Sequence, residues 1–231
     1  MSDRSTPAKA VPSEDDVLRQ IEKAVLDHRL APGTKLKEVE LAGLFGVKRG
    51  TIRKVLSRLA HARLVEQLPN KGATVARPTV KEARDLFAAR RSIEAAILET
   101  LIDNKTDAAI QTLRHLLKEE ETAYELNRPD EALSLSIQFH TELARLAGNT
   151  VLADFLQDIT YRTPLVILTH LDDDQENCCK NQEHVEIVDA IEQGDKARAI
   201  EIMNQHLLHI EDRIDDKPDQ KPHNLADVLG L

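Results

Sequence analysis

The sequence predicts a mainly α-helical chain with two domains, and three observations support this fold class. Its 231 residues suit two compact domains better than one small one. Aromatic residues make up only 3% of the chain, and tryptophan is absent, which favours aliphatic helix packing over an all-β fold. Helical periodicity recurs along most of the chain, whereas strand-like runs are confined to residues 64–76. We therefore expect a small N-terminal domain with one hairpin, followed by an all-helical bundle of six to seven helices.

The polar N-terminus predicts a flexible arm over residues 1–13 and no signal peptide, because it lacks an apolar segment. No apolar run is long enough to span a membrane. Cys178 and Cys179 are adjacent, so they offer neither a disulfide framework nor a spaced metal motif. We expect a cytoplasmic protein with no membrane partner.

Residues 14–78 are predicted to form a winged helix-turn-helix domain. The expected elements are helices from about Glu14 to His28, Val39 to Phe45 and Arg49 to Ala62, then strands Leu64–Leu68 and Ala73–Ala76. Gly46 can end the second helix in a left-handed conformation and so produce the tight turn before the third. The turn between the two strands, residues 69–72, would form the tip of a wing.

Basic residues are concentrated in this first domain. Residues 1–78 carry 15 Lys and Arg against 9 Asp and Glu, whereas the rest of the chain carries 16 against 31. Between Lys48 and Arg63 there are six basic residues and no acidic one. A basic block in an acidic protein is typical of a DNA-binding module attached to another domain, although a solvated helix face gives the same pattern.

A specific sequence resemblance strengthens the first interpretation. Residues 30–75, LAPGTKLKEVELAGLFGVKRGTIRKVLSRLAHARLVEQLPNKGATV, closely resemble the DNA-binding domain of the GntR family of bacterial regulators. The resemblance implies that Arg49 and Arg53 read bases or phosphates, while Thr51 and Gly72 approach the DNA backbone. The expected DNA-binding residues are Lys48, Arg49, Gly50, Thr51, Arg53, Lys71 and Gly72.

Two positions depart from the family pattern. Lys48 stands where many members have a Ser or Thr that caps the recognition helix, and losing such a cap costs roughly 1 kcal/mol. A lysine there gains from a nearby phosphate or is simply exposed. Val39 stands where some members have a DNA-contacting Arg, so that contact passes to Lys35, Lys37 or Lys48.

Residues 79–214 are predicted to form the second, all-helical domain, and residues 215–231 a flexible tail. The expected helices span about 80–102, 106–127, 130–147, 150–170, 176–193 and 196–214. His140, His184 and His206 each occupy a position on an apolar helical stripe. Buried imidazoles need partners, and one shared metal ion would satisfy all three.

This region resembles the FCD ligand-binding domain of the FadR-type branch of the GntR family. The residues that carry the resemblance are Arg90, Ile93-Glu94, Phe139-His140, Gly148-Asn149, Glu183-His184, Gly194-Asp195, Met203 and His206. The resemblance implies a divalent metal held by an Asp and three His, but Ser136 replaces the Asp. Three imidazoles can still hold zinc or nickel, with water or an effector carboxylate completing the shell. Alternatively, the cluster binds an anionic effector directly.

Arg90 also lies on an apolar stripe, with Leu86, Ile93 and Ile97. A buried arginine requires an anion nearby. That anion is either an effector carboxylate or Glu94, one turn further on. The expected effector-binding residues are therefore Arg90, Ser136, His140, His184 and His206.

Together these features predict a ligand-responsive transcription regulator, not an enzyme. The resemblance implies a homodimer that represses from an inverted-repeat DNA operator and responds to a small carboxylate metabolite. One alternative is a metal-dependent hydrolase, but such helical enzymes need an adjacent His-Asp pair, and the nearest pattern is His170-Leu171-Asp172. The other is a non-sensing architectural DNA-binding protein, which leaves the inward histidines and Arg90 unexplained.

Overall fold

The computed structural model describes residues 11–26, 29–68, 72–170, 181–215 and 225–230. The chain divides into two compact units, residues 1–77 with 219–231, and residues 78–218. The predicted mainly helical fold is confirmed, and the only sheet within the described ranges lies in the first unit. None of the described helices is both long and apolar enough to cross a membrane.

Three helices build the core of the first unit: α1 (Glu14–Leu26), α2 (Glu38–Phe45) and α3 (Arg49–His61). Both α1 and α2 pack against α3. The buried side chains are Val17, Ile21, Ala24 and Val25 of α1, Leu41 and Phe45 of α2, and Ile52, Val55, Leu56 and Leu59 of α3. Gly46 ends α2 with φ +66°, in the left-handed conformation that glycine adopts readily. The chain then enters α3, which completes the helix-turn-helix.

The wing is a three-stranded antiparallel sheet in the order β1 (Lys35–Leu36), β3 (Gly72–Val75), β2 (Val65–Leu68). Lys35 pairs with Thr74, and Val65 pairs with Val75. The prediction of a two-stranded hairpin missed β1, because two residues are too few to show a strand periodicity. A Cβ on Gly72 would lie 2.3 Å from the Leu36 carbonyl oxygen, so the close approach of β1 requires glycine there.

A short C-terminal helix, α11 (Leu225–Leu229), also belongs to the first unit, where it packs against α1. Leu225 and Leu229 are buried. Gln20 Nε2 donates to the Leu229 carbonyl at 2.7 Å, and Arg29 Nη1 donates to the Val228 carbonyl at 2.8 Å. The predicted flexible tail is therefore wrong at residues 225–229, because its apolar face is covered by α1; residues 216–224 lie outside the described ranges.

The second unit contains seven helices within the described ranges. They are α4 (Val80–Asn104), α5 (Asp107–Glu125), α6 (Pro129–Ala147), α7 (Thr150–Thr160), α8 (Thr163–His170), α9 (Asn181–Gln193) and α10 (Lys196–Glu211). The long α4 packs against α6, α7, α9 and α10, and α5 packs against α6 and α9. Thr79 and Glu82 form a capping box that fixes where α4 begins.

The helix predicted over residues 150–170 is instead two helices, α7 and α8. Pro164, the second residue of α8, has no backbone N–H, so it cannot donate to the carbonyl four residues earlier. Proline is tolerated in the first turn of a helix, where that bond is absent anyway. The start predicted for the next helix, at residue 176, lies outside the described residues, as do Cys178 and Cys179.

Candidate functional site

Three histidines from three helices meet inside the second unit: His140 on α6, His184 on α9 and His206 on α10. None is more than 2% exposed. Each offers one ring nitrogen, and these nitrogens all lie within 4.8 Å of one another. The structure therefore brings together the three histidines that the sequence singled out.

A glutamate stands behind each histidine, at the ring nitrogen Nδ1. The pairs are His140 with Glu94 at 2.5 Å, His184 with Glu120 at 2.9 Å and His206 with Glu183 at 2.7 Å. Glu94 and Glu183 are ionised near pH 7, and an ionised carboxylate only accepts hydrogen bonds, so Nδ1 of His140 and of His206 carries the ring proton and donates it. The other ring nitrogen, Nε2, then presents a lone pair, which is the form that a metal ion requires.

The Nε2 atoms of His184 and His206 lie 3.3 Å apart. When His184 also carries its ring proton on Nδ1, toward Glu120, neither Nε2 has a hydrogen to donate, and two lone pairs face each other in a buried space. A cation between them would turn this repulsion into attraction. Two nitrogens bound to one tetrahedral zinc ion at about 2.1 Å are about 3.4 Å apart, so this pair fits such an ion.

The pKa values agree with this proton arrangement at His140 and His206. Burial lowers the pKa of His140 from 6.5 to about 3 and that of His206 to about 4, so both rings are neutral near pH 7. Burial alone would raise the pKa of Glu94, but the nearby Arg90 and His140 outweigh it and lower the pKa to about 2. The hydrogen bond from His206 likewise lowers the pKa of Glu183 to about 2.

Arg90 lies on α4 and is only 2% exposed. Its Nε donates to Glu94 Oε1 at 2.8 Å, so the internal ion pair that the sequence left open is present. Its Nη2, however, is buried without a hydrogen-bond partner in the described structure. An unmade buried hydrogen bond costs about 1–3 kcal/mol, so Arg90 keeps a donor that an anionic ligand can satisfy.

Ser136 is buried one turn before His140 on α6. Its hydroxyl is neutral, so the anionic ligand of the family pattern is absent from this helix. The sequence interpretation missed the partner carboxylates Glu120 and Glu183. Glu120 stands in an acidic run that resembles an exposed face, yet it is fully buried. Its spacing from Leu116, Leu117 and Ala123 was the available signal, since these residues share its helical stripe.

The first turn of α3 holds most of the residues expected to contact DNA. Lys48 is the N-cap residue and makes no side-chain cap, as its chemistry predicts. The side chains of Arg49 and Arg53 are 61% and 66% exposed. Gly50 and Thr51 lie between them in the same turn. In the wing, Gly72 has the structural role described above, and Lys71 lies outside the described residues.

A further residue that the sequence interpretation missed, Glu38, contacts both arginines. Its carboxylate accepts from Arg53 Nε and Nη2, each at 3.0 Å, and from Arg49 Nη2 at 3.4 Å. Glu38 is the first residue of α2, so this contact joins the two helices of the helix-turn-helix. Neither helical periodicity nor sequence spacing indicates this pairing.

A helix-turn-helix and wing, followed along the chain by a helical unit with a buried polar centre, define a ligand-responsive transcription regulator. Residues 13–75 match the family described as bacterial regulatory proteins, gntR family, and residues 85–209 match the FCD domain. The chain therefore belongs to the GntR family, in the FadR-type branch that carries an FCD domain.

Individual relatives agree with this assignment. The HTH-type transcriptional repressor RspR of Escherichia coli (strain K12) is 23% identical over 203 residues, covering 88% of this chain and 89% of the relative. An HTH-type regulator in an unstable DNA locus of Streptomyces ambofaciens is 30% identical over 209 residues, covering 87% and 84%. A GntR regulator from Rhodococcus sp. RHA1 has the same fold, with a TM-score of 0.74, 23% identity and coverage of 94% and 97%.

Proposed function

We propose that this protein is a cytoplasmic, metabolite-controlled repressor that binds an inverted-repeat operator as a homodimer. The observation that carries the sensing part is the polar centre of the second unit, where three histidines and an incompletely paired Arg90 lie inside an apolar core. Two relatives support repression, since RspR and GlaR of Escherichia coli are both described as repressors.

DNA reading is assigned to the first turn of α3 and to the wing. Exposed arginines at the start of a recognition helix can reach guanine edges or phosphates in the major groove. Arg49 and Arg53 take this role, and Lys48, Gly50 and Thr51 lie close enough along the helix to approach the backbone. Lys71 and Gly72 of the wing complete the proposed surface.

The histidine centre is assigned to a divalent transition metal, zinc or nickel. His140, His184 and His206 would hold it through Nε2, and the three glutamates would keep those lone pairs turned inward. A bound metal would supply positive charge and a coordination position for an oxygen ligand. Because Ser136 contributes no charge, the ligand set is neutral. That leaves more net positive charge for an anionic effector than an aspartate-containing set would.

The effector class that fits this centre is a small carboxylate. Arg90 Nη2 offers it a hydrogen bond, and the Ser136 hydroxyl offers a further polar contact. A metal-free protein could bind the same anion through the histidines and Arg90. Effector binding would shift the population between two forms of the dimer that differ in operator affinity.

A second copy of the chain is required to read both halves of an inverted repeat. Helix α7 exposes two large apolar side chains one turn apart, with Val151 60% and Phe155 58% exposed. Such a face suits contact with another protein surface. If α7 forms the dimer contact, Phe155→Glu should halve the mass measured by light scattering, and an unchanged dimer would exclude this face.

The function is tested by selecting tight-binding duplexes from a random pool and titrating them with and without a panel of small carboxylates. Wild type should bind the enriched duplex, and an effective carboxylate should weaken that binding. Arg53→Ala should lose the duplex while its folding is unchanged. An Arg53→Ala variant that binds as tightly as wild type would contradict the assignment of the reading helix.

A further inference from the structure

Glu38 is the acidic residue that contacts both proposed DNA-reading arginines. We infer that Glu38 is a specificity-determining residue, which orients Arg53 for a guanine and weakens binding to non-cognate DNA. The inference rests on the proposed role of Arg49 and Arg53 as DNA readers. It adds a residue that itself would not contact a base.

The geometry of the Glu38–Arg53 contact fixes the guanidinium plane. Arg53 Nε donates to one carboxylate oxygen and Nη2 to the other, both at 3.0 Å. Two parallel hydrogen bonds of this kind hold both the position and the rotation of the guanidinium. Arg49 Nη2 approaches the same carboxylate at 3.4 Å, with a single contact, so Arg53 is the more firmly held.

This side-on pairing leaves the reading edge of Arg53 free. A guanidinium has five N–H donors, and the pairing with Glu38 uses Nε and one hydrogen of Nη2. The two hydrogens of Nη1 and the second hydrogen of Nη2 remain. Nη1 and Nη2 together are the pair of donors that matches the O6 and N7 acceptors of guanine. Glu38 therefore holds one edge of the Arg53 guanidinium, and the adjacent Nη1–Nη2 edge keeps its donors for DNA.

The support is rigid because it comes from the helix-turn-helix itself. Glu38 is the first residue of α2, where the helix dipole favours a negative side chain. Leu41 and Phe45 anchor α2 in the core shared with α3. The Glu38 side chain is only 16% exposed, whereas that of Arg53 is 66% exposed. The carboxylate is therefore held more tightly than the arginine that it orients.

Charge gives Glu38 its second effect. Hydrogen bonds from Arg53 and the charges of Arg53 and Arg49 lower the pKa of Glu38, so the carboxylate is ionised near pH 7. An anion beside the reading helix repels DNA phosphates on every sequence. The orientation of Arg53 helps only where a guanine is in place. Glu38 thus lowers affinity for all DNA and restores it for the cognate site alone.

The test compares the duplex enriched from a random pool with a scrambled duplex of equal length, at two salt concentrations. Glu38→Gln should bind the scrambled duplex several-fold more tightly, and the ratio of the two affinities should fall about tenfold. Glu38→Asp keeps the charge but withdraws the carboxylate by one methylene. For this variant the ratio of the two affinities should also fall, but its affinity for the scrambled duplex should not rise.

Glu40→Gln is the matched control, since Glu40 lies on the same helix, is exposed and, among the described residues, pairs only with Lys37, at 3.6 Å. It should change the affinities for the two duplexes by the same factor. If Glu38→Gln and Glu38→Asp both keep the wild-type affinity ratio, the inference is overturned. Arg53→Ala distinguishes a failure of the proposed DNA-reading helix from a failure of the role inferred for Glu38. If that variant still binds the enriched duplex tightly, the proposed reading helix fails; if it loses the duplex while the Glu38 variants keep the ratio, only this inference fails.

Discussion

Arg90 and Glu94 form a fully buried ion pair one turn apart on α4, and the second oxygen of Glu94 accepts the Nδ1 hydrogen of His140. The pair therefore connects a cation with a spare donor to the histidine cluster through one carboxylate. Removing either partner would leave a buried charge without its counterion, which typically costs 3–5 kcal/mol, on the order of a third of a domain's stability. The same carboxylate thus supports both the fold and the proposed ligand site.

Glu94 should control metal affinity although it would not itself be a ligand in the proposed metal centre. In Glu94→Gln a neutral amide replaces the carboxylate that accepts the hydrogen bond from His140 Nδ1. The imidazole then becomes a weaker and less well oriented ligand. We expect zinc affinity to fall about 10- to 100-fold, measured by competition with a chelating dye. Glu99→Gln, at an exposed position on the same helix, is the control and should bind zinc like wild type. Equal zinc affinities for the two variants would show that Glu94 does not support metal binding.

Arg90 should be needed for the effector response but not for DNA binding. Arg90→Lys keeps the positive charge beside Glu94 but loses the planar fork of donors. We expect the variant to bind the enriched duplex as tightly as wild type does. To release that duplex, it should need an active-carboxylate concentration at least about tenfold higher than wild type needs. A variant that responds at wild-type concentrations would show that the spare Nη2 donor is not used.

Acid should destabilise the metal-free protein in two steps. The folded state keeps His140 and His206 neutral to pH values of about 3 and 4, whereas the unfolded chain takes up these protons near pH 6.5. The unfolded state therefore binds more protons below pH 6.5, and stability falls with pH. Glu94 and Glu183, with folded pKa values of about 2 against 4.5, add a further loss below pH 4.5.

This pH dependence is measured by urea unfolding in the presence of a chelator, from about pH 7.5 down to about pH 3 on a roughly half-unit grid. His206→Gln should flatten the first step, because it removes one of the two groups. His115→Gln, at a side chain that is 74% exposed, should leave the profile unchanged. A wild-type midpoint that stays constant between pH 7 and pH 5 would contradict the neutral histidines.

The C-terminal helix should stabilise the first unit. Leu229→Asp places a charge where Leu229 is 2% exposed against α1, and should lower the free energy of unfolding by roughly 2–5 kcal/mol. Val11→Asp changes an apolar side chain that is 72% exposed in the same unit, and serves as the control. If both variants unfold at the wild-type urea concentration, α11 is not part of this core.

Much of the fold and part of the site follow from the sequence. Apolar stripes gave the helices of both units, and the histidines could be singled out because they interrupt such stripes. Gly46 also has the left-handed conformation that the turn requires. These features are local, since each is decided by residues within a few turns of one another.

The features that the sequence did not reveal depend on contacts between distant segments. Glu120 and Glu183 reach histidines 64 and 23 positions away, and which helices pack together cannot be read from periodicity. Strand β1 is defined by its pairing with β3, and helix α11 by its packing against α1. Glu38 pairs with Arg53 only because the turn brings the start of α2 beside α3.

The claim that the buried histidines form a metal centre is tested most directly by elemental analysis of protein purified without a metal-affinity tag. Wild type should contain about one zinc, nickel or similar ion per chain, as a three-histidine site predicts, and His140→Ala should contain none. The absence of metal from both proteins would contradict the metal centre. The cluster and Arg90 would then be left as direct contacts for an anionic effector.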